Sequence, residues 1–281
     1  MDYDWNMTLT PVPTSPTALA PLLDALYGSP EGTMADLARA FVGTWLVQGE
    51  AGEALGALGL RPSTRAGTEV VGGAFPGDRQ FEAAQVLLQV AREHAPVYAY
   101  AEAERFPAEA LVAAGFSEAG AYLRLTGPVP DDAPAVPPGF RLVPLSEVEG
   151  QGDRWTAQES YTDQLGHTPT TEEAIQPNVG GSVDVLGRLA YDTQGRPAGI
   201  CRAWLNGEEA GLGTPGVRSD VRETGLWAAL LHTVCQAMRA AGATRLVLQS
   251  WGDAPEDVRA DLALGLPVAE RTAIYLSSGN P

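Results

Sequence analysis

The chain has 281 residues, 44% of them hydrophobic and 19% charged, and a net charge of −17 at neutral pH. That length exceeds what one ordinary core requires and predicts two domains, and the composition is that of a globular protein. The negative charge argues against general affinity for nucleic acid or an anionic membrane, because long-range repulsion opposes the encounter, and it suits a cationic ligand.

No stretch approaches the roughly 20 apolar residues of a membrane span. The opening MDYDWNMTLT lacks the apolar run of a secretory leader, so a cytoplasmic location is expected. Cys201 and Cys235 lie far apart without ligand spacing and read as buried thiols. The three histidines, His94, His167 and His232, pair with no cysteine or carboxylate in a zinc-like pattern, and no metal is expected.

In chain order, a short strand is predicted at Met7 to Val12, then helices at Ser15 to Tyr27 and Thr33 to Val42. Ser15 and Thr33 are candidate N-caps, and Pro16 stands at a first helical position. Three extended segments follow between glycine-rich turns, at Thr44 to Gln48, Glu53 to Arg61 and Thr68 to Phe75. An apolar helix at Gln80 to His94, a strand at Val97 to Ala101, a helix at Pro107 to Ala114 and a strand at Ala119 to Leu125 complete the first half.

Residues Pro128 to Gly139, PVPDDAPAVPPG, hold five prolines and no apolar periodicity, which predicts a stiff connector and a domain boundary. The division is then residues 1–127, a linker at 128–139, and residues 140–281. The second half repeats the first. A strand at Phe140 to Pro144 precedes helical segments at Glu147 to Glu159 and Thr171 to Gln176, then strands at Leu186 to Asp192, Ala198 to Leu205 and Ala210 to Val217. A helix at Gly225 to Ala241, a strand at Arg245 to Ser250, a helix at Pro255 to Leu264 and a strand at Ala269 to Leu276 follow. Each half reads β-α-α-β-β-β-α-β-α-β: a mixed α/β (α+β) fold with an antiparallel meander, a helix and a parallel return. The closing stretches AAGFSEAGAYLRL and ALGLPVAERTAIYL also correspond.

The most informative stretch is VRSDVRETGLWAALL, Val217 to Leu231, where an extended segment turns through Gly225 into a helix. The first amides of a helix have no partner within it, and the macrodipole adds partial positive charge, so such an entrance accepts an anion. Gly225 permits close approach, Arg218 and Arg222 bring cations beside the same amides, and Leu226, Ala229, Leu230, Thr233, Val234, Ala237 and Met238 form a core-facing stripe.

Val217, Arg222 and Gly225 in that order resemble motif A of the GCN5-related N-acetyltransferase (GNAT) superfamily, V-x-x-x-x-R-x-x-G-x-G/A before an apolar helix, with Trp227 in place of the second small residue. The order of elements matches the GNAT fold twice, a layout similar to two-domain members of that superfamily. The resemblance implies an acyl-CoA-dependent N-acyltransferase, with acetyl-CoA or another acyl-CoA as cofactor and a small, cationic amine as the other substrate. The arm of the cofactor would lie along Thr214 to Val217, and its pyrophosphate on the turn formed by Arg218, Arg222, Glu223, Thr224, Gly225, Leu226 and Trp227. Asp253 either contacts the arm or caps the helix near Pro255. In the first half the matching turn, Phe75 to Gln80, lacks the R-x-x-G spacing and puts Asp78 where a phosphate would sit, so that half reads as one without a cofactor motif.

Direct transfer needs a proton acceptor. Glu208 and Glu209 are candidates, and N-G-E-E at Asn206 to Glu209 is equally good hairpin chemistry. Tyr275 is a candidate acid or a strand aromatic of the core. The tyrosine that many members carry four residues before the last helix's glycine is absent, and Asp261 holds that position. Trp155, Glu159, Tyr161, Asp163 and His167 either wall a site for a cationic amine or belong to an amphipathic helix and its loop. The alternative to an enzyme is a non-catalytic acyl-CoA sensor or interaction scaffold, and either a monomer or a homodimer would serve.

Overall fold

A computed structural model describes residues 9–65, 67–132, 135–161, 164–165, 167, 169–252 and 255–278. Asp163, Asp253 and the start of the first predicted strand, at Met7 and Thr8, lie outside them.

Ser15 caps the first helix as its sequence demands, accepting the Ala18 amide at 3.1 Å. After β1 (Pro11–Pro13) come α1 (Pro16–Tyr27), α2 (Ala35–Arg39), β2 (Gly43–Gln48), β3 (Ala54–Pro62) and β4 (Thr68–Ala74). Next are α3 (Gln80–Arg92), β5 (Val97–Tyr100), α4 (Ala108–Ala113) and β6 (Ser117–Pro128). Helix α2 is shorter than the predicted Thr33 to Val42, because Asp24 takes the amides of Gly32 and Met34 at 2.7 and 2.9 Å and fixes a turn there.

The second half contains β7 (Arg141–Pro144), α5 (Gln151–Gln158), β8 (Arg188–Tyr191), β9 (Pro197–Cys201), β10 (Ala203–Asn206), β11 (Glu209–Gly213) and β12 (Gly216–Val217). It closes with α6 (Leu226–Ala240), β13 (Arg245–Gly252), α7 (Pro255–Leu262) and β14 (Val268–Ser277). Two expectations change. Thr171 to Gln176 forms turns instead of a helix: Pro169 and Pro177 flank it, and the residue before a proline avoids helical angles. The predicted strands at Ala198 to Leu205 and Ala210 to Val217 are each broken, at Arg202 and at Thr214–Pro215.

The chain forms two compact units, one running to Gly120 and resuming at Thr272, the other Ala121–Arg271. The boundaries therefore fall at 120/121 and 271/272 and not in the proline-rich stretch: Pro128 is still in β6, opposite Arg245, and Val129 is buried in the second unit's core. The cause is an exchange of closing strands. Residues 121–128 of β6 pair antiparallel with β13, whereas β14 pairs antiparallel with β5.

In the first unit the sheet order is β1-β2-β3-β4-β5-β14, with β4 and β5 parallel. Ala83, Ala84, Leu87, Leu88 and Ala91 of α3 pack with Leu58, Val70 and Val97, and α1 contributes Leu19 and Leu23 to a second cluster with Phe41 and Val71. The second unit has one sheet ordered β6-β13-β11-β10 and another ordered β12-β9-β8-β7. Of the predicted α6 stripe, Leu226, Ala229, Leu230, Val234 and Met238 are fully buried and Thr233 and Ala237 half-buried, each large buried side chain contributing about 1.5–3 kcal/mol.

Tyr275 of β14 stands opposite Ala99 and is 8% exposed within the first unit's core. Tyr275→Ala is therefore expected to cost about 3–5 kcal/mol, as aromatic truncations in cores do. Hydrogen exchange should show the loss in Val97–Tyr100 of β5 and leave β13 protected. Protection lost in β13 instead would contradict the strand exchange.

Candidate functional site

Parallel pairing of β11 with β13 runs from Glu209↔Arg245 to Gly213↔Gln249, and the Thr214 amide donates to the Gln249 carbonyl at 2.9 Å. Pro215 has no amide to continue the ladder. The chain then leaves β13 for the other sheet, where Gly216 and Val217 pair antiparallel with Ile200 and Gly199. β13 runs on through Ser250 and Trp251. Beyond Thr214 two strands that were hydrogen-bonded have separated, and the edge of β12 that does not face β9 is free of β13.

The separation is fastened from within. The Tyr161 hydroxyl shares its hydrogen between the carbonyls of Thr214 (3.1 Å) and Ile200 (3.2 Å), and its ring lies so close to Gly216 that a Cβ there would come 2.8 Å from it. Burial raises the Tyr161 pKa, so the hydroxyl stays protonated. His167 stacks on Tyr161 with centroids 4.7 Å apart, and Trp251 meets His167 edge-on at 6.3 Å and Tyr122 at 4.7 Å. Ser250, the first residue of β13 past the last rung, donates to the Asp261 carboxylate, both groups being buried.

Below the separation the chain makes a 3-10 turn, Ser219–Thr224, and enters α6 through Gly225 at φ 84°, a left-handed conformation that favours glycine. α6 has no side-chain cap and no acidic residue in its first turn, so its amides are available to an anion. Glu223 and Thr224 are exposed on the turn, with the Thr224 hydroxyl donating to Val221 O at 2.7 Å, and Leu226 anchors the helix in the core. Arg222 is exposed and folds its Nε back onto the Val217 carbonyl at 3.2 Å. The Trp227 indole is held against the strand end, its Nε1 donating to Thr214 Oγ1 at 3.3 Å.

Arg218 is not a free cation. Its guanidinium is spread over Asp220 (2.6 Å), Asp192 (3.0 Å) and the Pro197 carbonyl (2.8 Å), a clamp between the turn and the β8–β9 hairpin. Glu208 and Glu209 lie at the hairpin that opens β11, exposed, Glu208 accepting from Thr244 Oγ1 and Glu209 3.5 Å from Arg245. Four residues of strand, roughly 13 Å at about 3.3 Å each, separate Glu209 from Gly213, so neither carboxylate reaches the separation. Trp155 donates its indole N–H to Glu159 at 2.9 Å beside a cavity of 350 Å³ that Gln151, Glu172 and Ile175 also line. Cys201 and Cys235 are buried, which pushes the first thiol well up and the second up to about 12.

Tyr161, Thr214, Trp227 and His167 are thus brought together around one strand break. Ser250, Trp251, Tyr122 and Asp261 join them. Only Asp261 carried a sequence signal, its place before the last helix's glycine.

The first unit has a corresponding strand separation that its own chain fills. β4 and β5 pair only at Thr68↔Val97 and Glu69↔Tyr98, and β4 continues to Ala74 with Gly72 and Gly73 at positive φ. There the Gly72 amide donates to Tyr27 Oη at 3.1 Å and the Ala74 amide to Arg105 O at 3.0 Å, and a Cβ on Gly73 would fall 2.5 Å from Arg105 Cβ. A cavity of 470 Å³ at the start of α3 is lined by Asp78 and Glu109.

The Arg218 clamp makes a titration prediction. Partial desolvation would raise the Asp192 pKa, but the Arg196 amide, the Arg218 guanidinium and the Gln194 amide outweigh it and hold it at about 2. A depressed folded value stabilises fully above the unfolded value of about 4 and is lost as pH falls toward 2. An NMR titration should place the Asp192 midpoint near 2 in the parent and higher in Arg218→Gln, and an unchanged midpoint would refute the clamp.

No known family profile and no curated protein sequence matches the chain. Solved structures do. A GCN5-related N-acetyltransferase from Sphaerobacter thermophilus superposes with a TM-score of 0.55 at 20% identity, covering 98% of this chain and 97% of that one. A tandem GNAT protein from the clavulanic acid biosynthesis pathway gives 0.52 at 19%, covering 97% and 99%. A probable N-acyltransferase from Enterococcus faecalis gives 0.60 at 11%, covering 96% and 72%. The chain therefore has the fold of the GCN5-related N-acetyltransferases, in tandem.

Proposed function

We propose that the protein is an acyl-CoA-dependent N-acyltransferase whose single site lies in the second unit, at the parting of β12 from β13 above the entrance of α6. The observation that carries this reading is the end of pairing at Thr214, which leaves a free strand edge beside an uncapped helix start. The residues present fit a coenzyme A thioester. The amides from Arg222 to Trp227, with Arg222, would hold the pyrophosphate, and the open edge of Pro215–Val217 would align the arm. Local positive potential is needed because the chain as a whole carries −17.

When bound, acyl-CoA supplies an activated acyl group. The protein's part is to position an amine against it, exclude water and take the amine's proton. The amine nitrogen forms the new C–N bond as the C–S bond breaks, and the leaving thiolate is protonated. The acceptor is read as a small amine, cationic before it gives up its proton, entering on the Tyr161–His167 side and guided by Trp155 and Glu159. Transfer is direct: Cys201 and Cys235 are buried with raised pKa values, so neither forms the thiolate an acyl-cysteine would need. The first unit takes no cofactor, since Tyr27 and Arg105 occupy the counterpart edge and Asp78 and Glu109 would oppose a phosphate.

Calorimetric titration of acetyl-CoA into the intact chain is expected to give one site per chain. Arg222→Glu and Gly225→Asp should each weaken it at least tenfold without lowering Tm by more than a few degrees. No saturable binding to a folded parent, or two sites per chain, would sink this reading. Replacing both cysteines by alanine should leave turnover within about threefold when small amines are screened by thiol release, and abolition of turnover in a folded double variant would rule out direct transfer.

A further inference from the structure

Around Arg154 and Arg202, the second unit buries two cations beside one carboxylate, that of Asp184. Arg154 and Asp184 form an ion pair at 2.7 Å, each side chain 5% exposed, with Arg154 also donating to the carbonyls of Leu145 and Val148. Arg202, at the break between β9 and β10, is 7% exposed. Its Nη2 donates to the Ala174 carbonyl at 2.9 Å and reaches Gln158 Oε1 at 3.4 Å, and neither partner is charged. The segment Ser182–Asp184 runs beside it, the Val183 amide donating to Ala203 O at 2.8 Å. Arg202 feels the charges of both Asp184 and Arg154, and burial lowers its pKa.

Two buried guanidinium groups thus share the field of one carboxylate, which bonds only the first of them. Among the described residues, Arg154 Nη1, Arg202 Nη1, Ser182 Oγ and one Asp184 oxygen are buried and have no hydrogen-bond partner. An unpaired buried donor is destabilising, and an uncompensated buried charge more so. Buried polar groups in folded proteins are satisfied with few exceptions, and a cluster of exceptions points to a missing partner. A planar guanidinium with a free edge matches a carboxylate, and one carboxylate would bring this cluster to neutrality.

We infer that Arg202, with Arg154 and Ser182, forms a carboxylate-binding site in the second unit, and that the acceptor is therefore an amine that also bears a carboxylate. The assignment to an acceptor rests on the acyltransferase reading; the binding site does not. What joins the two is Tyr161, whose hydroxyl bonds the carbonyl of Ile200, two residues before Arg202, and that of Thr214, where the strands part. A carboxylate held at Arg202 tethers the rest of the molecule to the Tyr161 side of that opening. In a chain of net charge −17 such a tether depends on a local arginine.

The test uses the full-length chain and matched probes: glycine, β-alanine and 4-aminobutyrate against their three amides, titrated by calorimetry with the protein alone and saturated with CoA. At least one acid should bind at least tenfold more tightly than its amide. Arg202→Gln should abolish that preference while the acetyl-CoA affinity stays unchanged, and Arg202→Lys should restore part of it. Should Arg202→Gln not fold, Ser182→Ala is the second variant, with an expected loss of at least threefold for the acid alone. Acids and amides binding alike, a preference that survives Arg202→Gln, or no acid binding at all would each overturn the inference and mean that the cluster holds water only. Acetyl-CoA failing to bind while the preference persists in the free protein would remove the acyltransferase reading and leave the carboxylate site standing.

Discussion

One hydroxyl governs the second unit. Tyr161 bonds the carbonyl of Thr214, where β11 gives way to β12, and that of Ile200, two residues before β9 gives way to β10. Backbone groups at such a break would otherwise lose their ladder partners, and a buried carbonyl without a partner is costly. By accepting the divergence on one side, Tyr161 allows the other side, between β12 and β13, to stay open. Gly216 is the matching concession in the backbone, since any side chain there would meet the tyrosine ring. The aromatic row through His167 and Trp251, the Trp227–Thr214 contact and the start of α6 all take their positions from this one separation.

Charge is distributed to suit it. The chain is strongly acidic, but the first turn of α6 contains no carboxylate, and of the acids around the preceding turn Asp192 and Asp220 are paired with Arg218 while Glu223 is exposed to solvent. At the entrance of α6 the backbone amides are uncapped, and Arg222 is exposed beside them. Deeper in, Arg154 and Arg202 are both buried, and only Arg154 pairs directly with a carboxylate, that of Asp184.

The two units show what becomes of one fold when its opening is kept or filled. In the first, Tyr27 and Arg105 satisfy the amides of Gly72 and Ala74 that a bound ligand's polar groups would otherwise meet. Satisfying those groups from its own chain removes the cost of leaving buried amides without partners. The first unit remains a well-packed domain because its cores, built on α3 and α1, do not depend on the opening.

By itself the sequence determined the mixed α/β class, the twice-repeated order of elements, the helix entrance at Gly225 and the buried stripe of α6, because apolar periodicity, caps and a glycine with positive φ are local properties. It could not determine partners. β6 and β14 are each the closing strand of a half, and nothing local names their neighbours, so only the tertiary structure decides that each pairs with the penultimate strand of the other half, moving the boundary from the proline-rich stretch to 120/121 and carrying Tyr275 into the first unit. Charge placement depends on the fold for the same reason. Arg218 stands beside Gly225 in the sequence, but only the fold brings Asp192 against it, and only strand register sets Glu208 and Glu209, candidate bases or hairpin residues by sequence, at the far end of β11. Side-chain type and spacing are written in the chain; which carboxylate neutralises which cation, and at which end of a strand a group stands, exist only once the strands have paired.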